Sequence, residues 1–253
     1  MRGLGRILFA ASFAALGALL VAVDDFALAW PPLLKGIVRH DALVTLAGAI
    51  LLAGGLGLLV PRTARPSALL LTAALSLREL VLQVPVVVAH PLFELAWYSV
   101  SENLTFVAGA WTIFSLLPRD GGLAGNVRLG QVLFALAMPA IGLSHMFYVN
   151  LTAPLIPGWL PFHVPLAYVT GAAHIAAGAG ILLGVLPRLA ATLEAVMVSL
   201  FTLLVWVPAV IAAPASRANW AEICTSAAVT GAAWAVAESL RGTPWGRLPS
   251  LRH

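Results

Sequence analysis

The sequence predicts an all-α integral membrane protein in which eight transmembrane helices form two parallel four-helix repeats. Three observations lead to this. Hydrophobic residues make up 61% of the chain and charged residues 9%, with a mean hydropathy of +0.98. Soluble domains carry about 25% charged residues, so this chain lacks the charge to coat a globule in water. Eight apolar stretches approach the roughly 20 residues that a helix needs to cross a bilayer, without the strict alternation of a membrane strand. The chain also matches itself at a constant offset of 123, pairing Gly48 with Gly171, Gly55 with Gly178, Gly57 with Gly180, Arg65 with Arg188, Ser76 with Ser199, Pro85 with Pro208, Pro91 with Pro214, Trp97 with Trp220 and Trp111 with Trp234. Glycine, proline and tryptophan coinciding at one offset mark an internal repeat.

The first span, 6–23, follows Arg2 and Arg6 and precedes Ala27-Leu28-Ala29, the outline of a secretory leader. Its match to mid-chain residues argues for a retained span. Gly5-Arg6-Ile7-Leu8-Phe9-Ala10 pairs with Gly130-Gln131-Val132-Leu133-Phe134-Ala135, and Gly17 with Gly142, across a two-residue gap. The next loop holds Asp24, Asp25, Trp30-Pro31-Pro32, Lys35, Arg39, His40 and Asp41, a solvated segment with a stiff interfacial centre. Spans two and three, 43–60 and 67–89, are joined tightly at Pro61-Arg62 and form an antiparallel hairpin. Gly48, Gly55 and Gly57 give the second span a small-residue face for close helix approach. The fourth span, 97–116, opens on Trp97, an interfacial anchor.

Pro118-Arg119-Asp120-Gly121-Gly122 is turn-rich and charged. It divides the chain into a first repeat at 1–117, a linker at 118–128 and a second repeat at 129–253. The second repeat runs through spans 129–149, 164–183, 189–212 and 219–238, with Pro187-Arg188 as its tight turn and Trp220 as its anchor. Four spans per repeat is an even number, so both copies insert in the same orientation.

The net charge of +4 raises the question of nucleic acid, and its placement answers against it. With the N-terminus inside, Arg2, Arg6, Arg62, Arg65, Arg119, Arg128, Arg188, Arg241, Arg247 and Arg252 fall on the cytoplasmic side, against Lys35, Arg39 and Arg217 outside. That asymmetry puts both termini in the cytoplasm and suits contact with anionic lipid. The single cysteine, Cys224, excludes an intrachain disulfide and reads as a small apolar helix residue.

Ionisable residues inside a span are costly, by about 2.5–3.5 kcal/mol on insertion scales, and are functional candidates by default. In the first repeat these are Arg78 and Glu79 on the third span and Glu102 on the fourth, with Asn103 beside it. They suit either a packing ion pair or a polar site for an anionic or quinone-like ligand, or for protons. Phe201 or Leu200, Thr202 and Thr225 stand at the matching positions of the second repeat. In that repeat the candidates are His145, His174 and Glu222, whose counterparts are Leu20, Leu51 and Ser99. Two histidines and a carboxylate suit a metal, haem through imidazole, or a quinone carbonyl. His145 and His174 are the candidate metal ligands, yet no local His or Cys spacing motif accompanies them, which favours hydrogen bonding to a neighbouring helix or an organic ligand. Glu194, about one turn inside its span, is expected to reach the interface. No nucleotide loop, nucleophile elbow or HExxH motif occurs.

Gly142-Leu143-Ser144-His145-Met146-Phe147, Ile156-Pro157-Gly158-Trp159-Leu160-Pro161 and Val169-Thr170-Gly171-Ala172-Ala173-His174, with Pro187-Arg188 beyond, resemble the DoxX and DoxX-like family of four-helix membrane proteins. The resemblance is good over about 130–213 and diluted in the first repeat. His174 stands where the family usually has a glutamate. The resemblance implies a tandem duplication of a DoxX-like bundle in a bacterial-type plasma membrane, and implies fold more than reaction. The function it implies is that of a membrane subunit of a redox or respiratory, quinone-linked assembly, partnered by the bilayer and by membrane or periplasmic redox subunits. A small-molecule or proton-coupled transporter and a structural scaffold are the alternatives. Quinone is the expected cofactor class, ahead of haem or metal.

Overall fold

In the computed structural model, described over residues 3–23, 40–118, 122–246 and 248, every regular element among the described residues is a helix. The expectations for Arg2, the loop 24–39 with its Trp30-Pro31-Pro32 and Ala27-Leu28-Ala29, Arg119 to Gly121, Arg247 and Arg252 lie outside the described residues, as do the side chains of His40 and Asp41.

The order is α1 (Leu4–Val23), α2 (His40–Leu59), α3 (Ala64–Arg78), a π-helical turn (Glu79–Gln83), α4 (Val84–Ala89) and α5 (Glu94–Leu116), then α6 (Val127–Phe147), α7 (Val149–Thr152), a 3-10 turn (Ala153–Leu155), α8 (His163–Leu183), α9 (Pro187–Phe201), a second π-helical turn (Thr202–Trp206), α10 (Val207–Ala212) and α11 (Arg217–Ser239). Six helical rods are long and apolar enough to cross a membrane: Leu4–Ala22, Ala42–Leu59, Ala64–Ala89, Val127–Phe147, His163–Leu183 and Pro187–Ala212. The chain is therefore an all-α protein suited to a membrane. The other two expected spans correspond to α5 and α11, each of 23 residues. They fall short on polarity, carrying Glu94, Glu102 and Asn103 on α5 and Arg217, Glu222 and Glu238 on α11.

Local chemistry sets several boundaries. The Asn126 side chain accepts from Leu129 N at 3.3 Å at the start of α6, and Ser216 Oγ accepts from Asn219 N at 3.2 Å at the start of α11; both satisfy otherwise orphaned amides. Gly184, at φ +74, ends α8 in the left-handed conformation that glycine adopts most easily, and Pro187 opens α9 at a position that needs no N–H. The two π turns have a shared cause. Pro85 and Pro208 each lie just after one. Proline cannot donate to the carbonyl four residues back, and its ring crowds that carbonyl. A wider turn relieves both faults without breaking the rod.

The helices close a ring. Each long helix lies against the next, α11 returns onto α1, and α5 and α11 touch across the middle. This makes two compartments, one bordered by α11, α1, α2, α3 and α5, the other by α5, α6, α8, α9 and α11. The first is apolar at its centre. Phe9, Phe13 and Phe106 pack ring on ring at 4.7 and 5.4 Å, and Leu20, Leu51, Leu71 and Leu75 are buried. Close approach depends on glycine. A Cβ on Gly17 would lie 2.3 Å from Leu52 N, and one on Gly5 would lie 2.5 Å from Ala235 N. These are backbone contacts that no rotamer change relieves.

Arginines expected at the lipid surface have protein partners. Arg65 donates to the carbonyls of Phe114, Leu117 and Leu123 at 2.9, 3.0 and 2.7 Å, and Arg128 to those of Ile181 and Leu182 at 3.0 and 2.7 Å. Both thereby cap the carbonyl ends of helices, where positive charge is favoured. Arg188 donates to Thr243 O at 3.3 Å and lies over the ring of Trp245. Trp97 and Trp220 are half exposed, and each indole donates at 2.9 Å to the carbonyl of the proline six residues before it.

Candidate functional site

The second compartment encloses a cavity of about 360 Å³. Its walls are mostly apolar, from Met138, Ile141, Val198, Val205 and Val229 among others. Into it project Tyr98 and Glu102 from α5, Ser144 and His145 from α6, Thr170 and His174 from α8, Glu194 and Phe201 from α9, and Glu222, Thr225 and Ser226 from α11, with Trp206 at the end of the second π turn. α7 and the 3-10 turn contribute Leu151, Thr152 and Leu155 at one end.

The two histidines stand side by side, ring centres 5.0 Å apart, with Phe201 about 6 Å from both and nearly parallel to His145. Their tautomers follow from their partners. His145 Nδ1 lies 2.9 Å from the carbonyl of Ile141. A carbonyl only accepts, so Nδ1 carries the hydrogen and the neutral ring keeps a bare Nε2. His174 Nδ1 lies 2.8 Å from Glu194 Oε1 and donates to the carboxylate, so Nε2 is an acceptor on a neutral ring and a donor on a charged one. His174 is 2% exposed and Glu194 1%, yet His174 Nε2 and Glu194 Oε2 have no hydrogen-bond partner among the described residues. Buried polar atoms of this kind are exceptions that call for a ligand, water or function.

The rest of the wall is rich in acceptors. Tyr98 donates its hydroxyl to Glu102 Oε1 at 2.9 Å. The hydroxyls of Ser144, Thr152 and Thr170 donate to the carbonyls of Ile141, Tyr148 and Ala167 at 2.7, 3.2 and 3.0 Å. Ser226 and Thr202 share a bond of 2.8 Å. Among the described residues no lysine or arginine belongs to the wall. Tyr148 is engaged with Glu94, and Thr225 and the Trp206 indole are further donors on the described wall.

Of the six expected site residues, Glu102, His145, His174 and Glu222 meet in this one cavity. Arg78 and Glu79 do not line it. They join through Asn103, which accepts from Arg78 and donates to Glu79 and, at 3.2 Å, to the Leu75 carbonyl. The cavity draws on both halves of the chain, because α5 packs against α6 and α11 and so delivers Glu102 to the histidines.

Glu194 corrects the expectation that it reaches the interface. α9 turns it inward, where His174 accommodates it. Sequence reasoning missed it although the signal was present, since its counterpart at the offset of 123 is Leu71, buried in the apolar compartment.

The histidines offer two nitrogens to a metal, but among the described residues no group of three or more His, Cys, Asp and Glu side chains is placed to hold one. A quinone carbonyl would need donors, which this wall supplies sparingly. Compared with family models, with curated proteins and with solved structures, the chain has no significant match.

Proposed function

We propose that the chain is a membrane carrier that binds a small molecule in the cavity among α5, α6, α8, α9 and α11. One observation carries this reading: carboxylates and imidazoles line a mostly apolar chamber with no lysine or arginine among the described residues of its wall. The other compartment places Leu51 and Leu71 at the positions corresponding to His174 and Glu194. Apolar residues therefore suffice for packing there, and the polar set in the cavity is what a ligand requires. The π turn at Thr202–Trp206 borders the cavity, and π turns recur at functional sites. Helix irregularities at matched positions of two halves also suit a carrier.

The same reading includes the architecture: eight membrane-crossing helices, in two parallel DoxX-like four-helix halves, in a bacterial-type plasma membrane with both termini cytoplasmic. Supporting it, α3 and α9 (Ala64–Arg78, Pro187–Phe201), the two π turns (Glu79–Gln83, Thr202–Trp206), and α5 and α11 (Glu94–Leu116, Arg217–Ser239) all recur at the offset of 123. At 1.5 Å per residue α5 and α11 are roughly 34 Å long, enough for a hydrocarbon core of about 30 Å.

A quinone-linked subunit of a redox assembly is the second reading. It draws on the DoxX-like motifs over 130–213 and on the cluster of His145, His174 and Phe201 on the cavity wall, against which a flat ring could pack. The scarcity of donors on the wall ranks it below a carrier.

Native mass spectrometry of protein extracted in nanodiscs separates the two. A carrier is expected to hold a small molecule that is lost when Thr225→Trp fills the cavity, and to travel without an oxidoreductase chain. A stoichiometric complex with such a chain, and no cavity-dependent small molecule, would refute the carrier.

A further inference from the structure

Five carboxylates and one guanidinium gather in and beside the cavity, among them Glu94, which lies beside the wall tyrosines Tyr98 and Tyr148. Glu102, Glu194 and Glu222 are on its wall, and Glu79 and Arg78 are in the adjoining Asn103 network. Arg78 acts electrostatically on both Glu79 and Glu102, and Glu194 accepts a hydrogen bond from His174 Nδ1. Glu222 differs. Among the described residues, the titratable groups that act on it are Glu102 and Tyr98 from α5, and neither is a cation. A carboxylate at this depth is costly unless it is protonated or paired with positive charge.

We propose that the cavity takes an amphiphilic organic cation, an ammonium group on an aromatic or alkyl body, and that the cation enters in exchange for a proton held by the Glu102–Glu222 pair. The inference rests on the carrier reading and names its substrate class. The acidic pair does not stand alone, because His174 lines the same chamber with its Nε2 unpartnered among the described residues, and on a neutral ring that nitrogen offers a lone pair to an N–H. Phe201 and Trp206 line the chamber, and aromatic rings attract cations. The apolar remainder of the wall receives the body of the ligand. The exchange balances: one monocation enters, one proton leaves a carboxyl group, and the charge of the site is unchanged. Arg78 fixes one positive charge close to Glu102, which leaves Glu222 as the group that the ligand must neutralise.

Binding to the full chain in nanodiscs tests this by calorimetry with three probes: 2-phenylethylammonium, its trimethylammonium analogue of fixed charge, and neutral 2-phenylethanol. Both cations are expected to bind at least tenfold more tightly than the alcohol. The fixed-charge probe is expected to tighten as pH rises, by up to tenfold per unit where the pair titrates, with about one proton released per ligand. Glu222→Gln is expected to weaken the cations about tenfold or more and to leave the alcohol unchanged. If that variant does not fold, the wild-type pH series decides alone. Alcohol binding as tight as that of the cations, or cation binding independent of pH, overturns the cation inference and leaves the carrier standing. No binding of any probe overturns both.

Discussion

Replacing the His174–Glu194 pair by leucines, singly and together, discriminates a ligand-directed pair from a packing device. The side chains are 3% and 0% exposed and meet at 2.8 Å. Glu194→Leu leaves the Nδ1 hydrogen of His174 without its acceptor in an apolar setting, a loss of about 1–3 kcal/mol. His174→Leu strands a buried carboxylate, at a cost of about 3–5 kcal/mol while it stays charged. Leucines at both positions reproduce Leu51 and Leu71, which pack at 4% and 0% exposure in the other compartment. Replacing a buried pair by apolar residues of similar volume is often neutral or stabilising, so the double variant is expected within about 1 kcal/mol of wild type. The pair should therefore couple by at least about 3 kcal/mol, at or above the top of the usual range for neighbours. Denaturant unfolding in micelles measures the cycle. A double variant that loses the sum of the two single losses would show that the residues act independently, and the argument would fail.

Other expectations follow from the same contacts. Asn103→Leu removes the amide that links Arg78 to Glu79 and should cost about 2–5 kcal/mol, read by thermal unfolding, while Leu95→Ala on the same helix should cost less. Gly17→Val forces a side chain against the backbone of Leu52 and should destabilise by more than about 1–3 kcal/mol; Gly158→Ala, with nothing within 4 Å of its Cβ, should stay within about 0.5 kcal/mol. Arg65→Met keeps the stem and loses the bonds to Phe114, Leu117 and Leu123. It should speed amide exchange around the C-terminal end of α5 and leave that of α9 unchanged.

Much of the helical frame is legible in the sequence because it depends on local periodicity and on residues with few substitutes. Proline and glycine mark the turns, and apolar length marks six of the rods. α5 and α11 are less apolar because they cross the middle of the ring, where neighbours rather than lipid receive Glu102, Asn103 and Glu222. The site is legible only in part. Glu102, His145, His174 and Glu222 stand out because leucine, serine or threonine occupies each matching position. Their convergence has no local signature, since it depends on α5 reaching across to α6. Glu194 is not legible from its own helix, because the partner that holds it inward is 20 residues away on α8. The π turns were present as Pro85 and Pro208, but a proline inside a span does not announce whether the helix kinks or widens.

The closure of the ring bears on how the protein is made. The amides of Gly3 and Leu4 donate to Glu238 at 3.1 Å, and Gly5 packs against the backbone of α11 near Gly231 and Ala235. Gly3 and Glu238 are 235 residues apart. At synthesis rates of about 5–20 residues per second, on the order of 10–50 s pass between their emergence. Throughout that interval α1 has its glycine seam turned to lipid or to an insertase, and its first amides lack their carboxylate. The half made first remains open on one flank until α11 packs against α1, so a ribosome stalled before α11 would leave an intermediate with an adhesive edge.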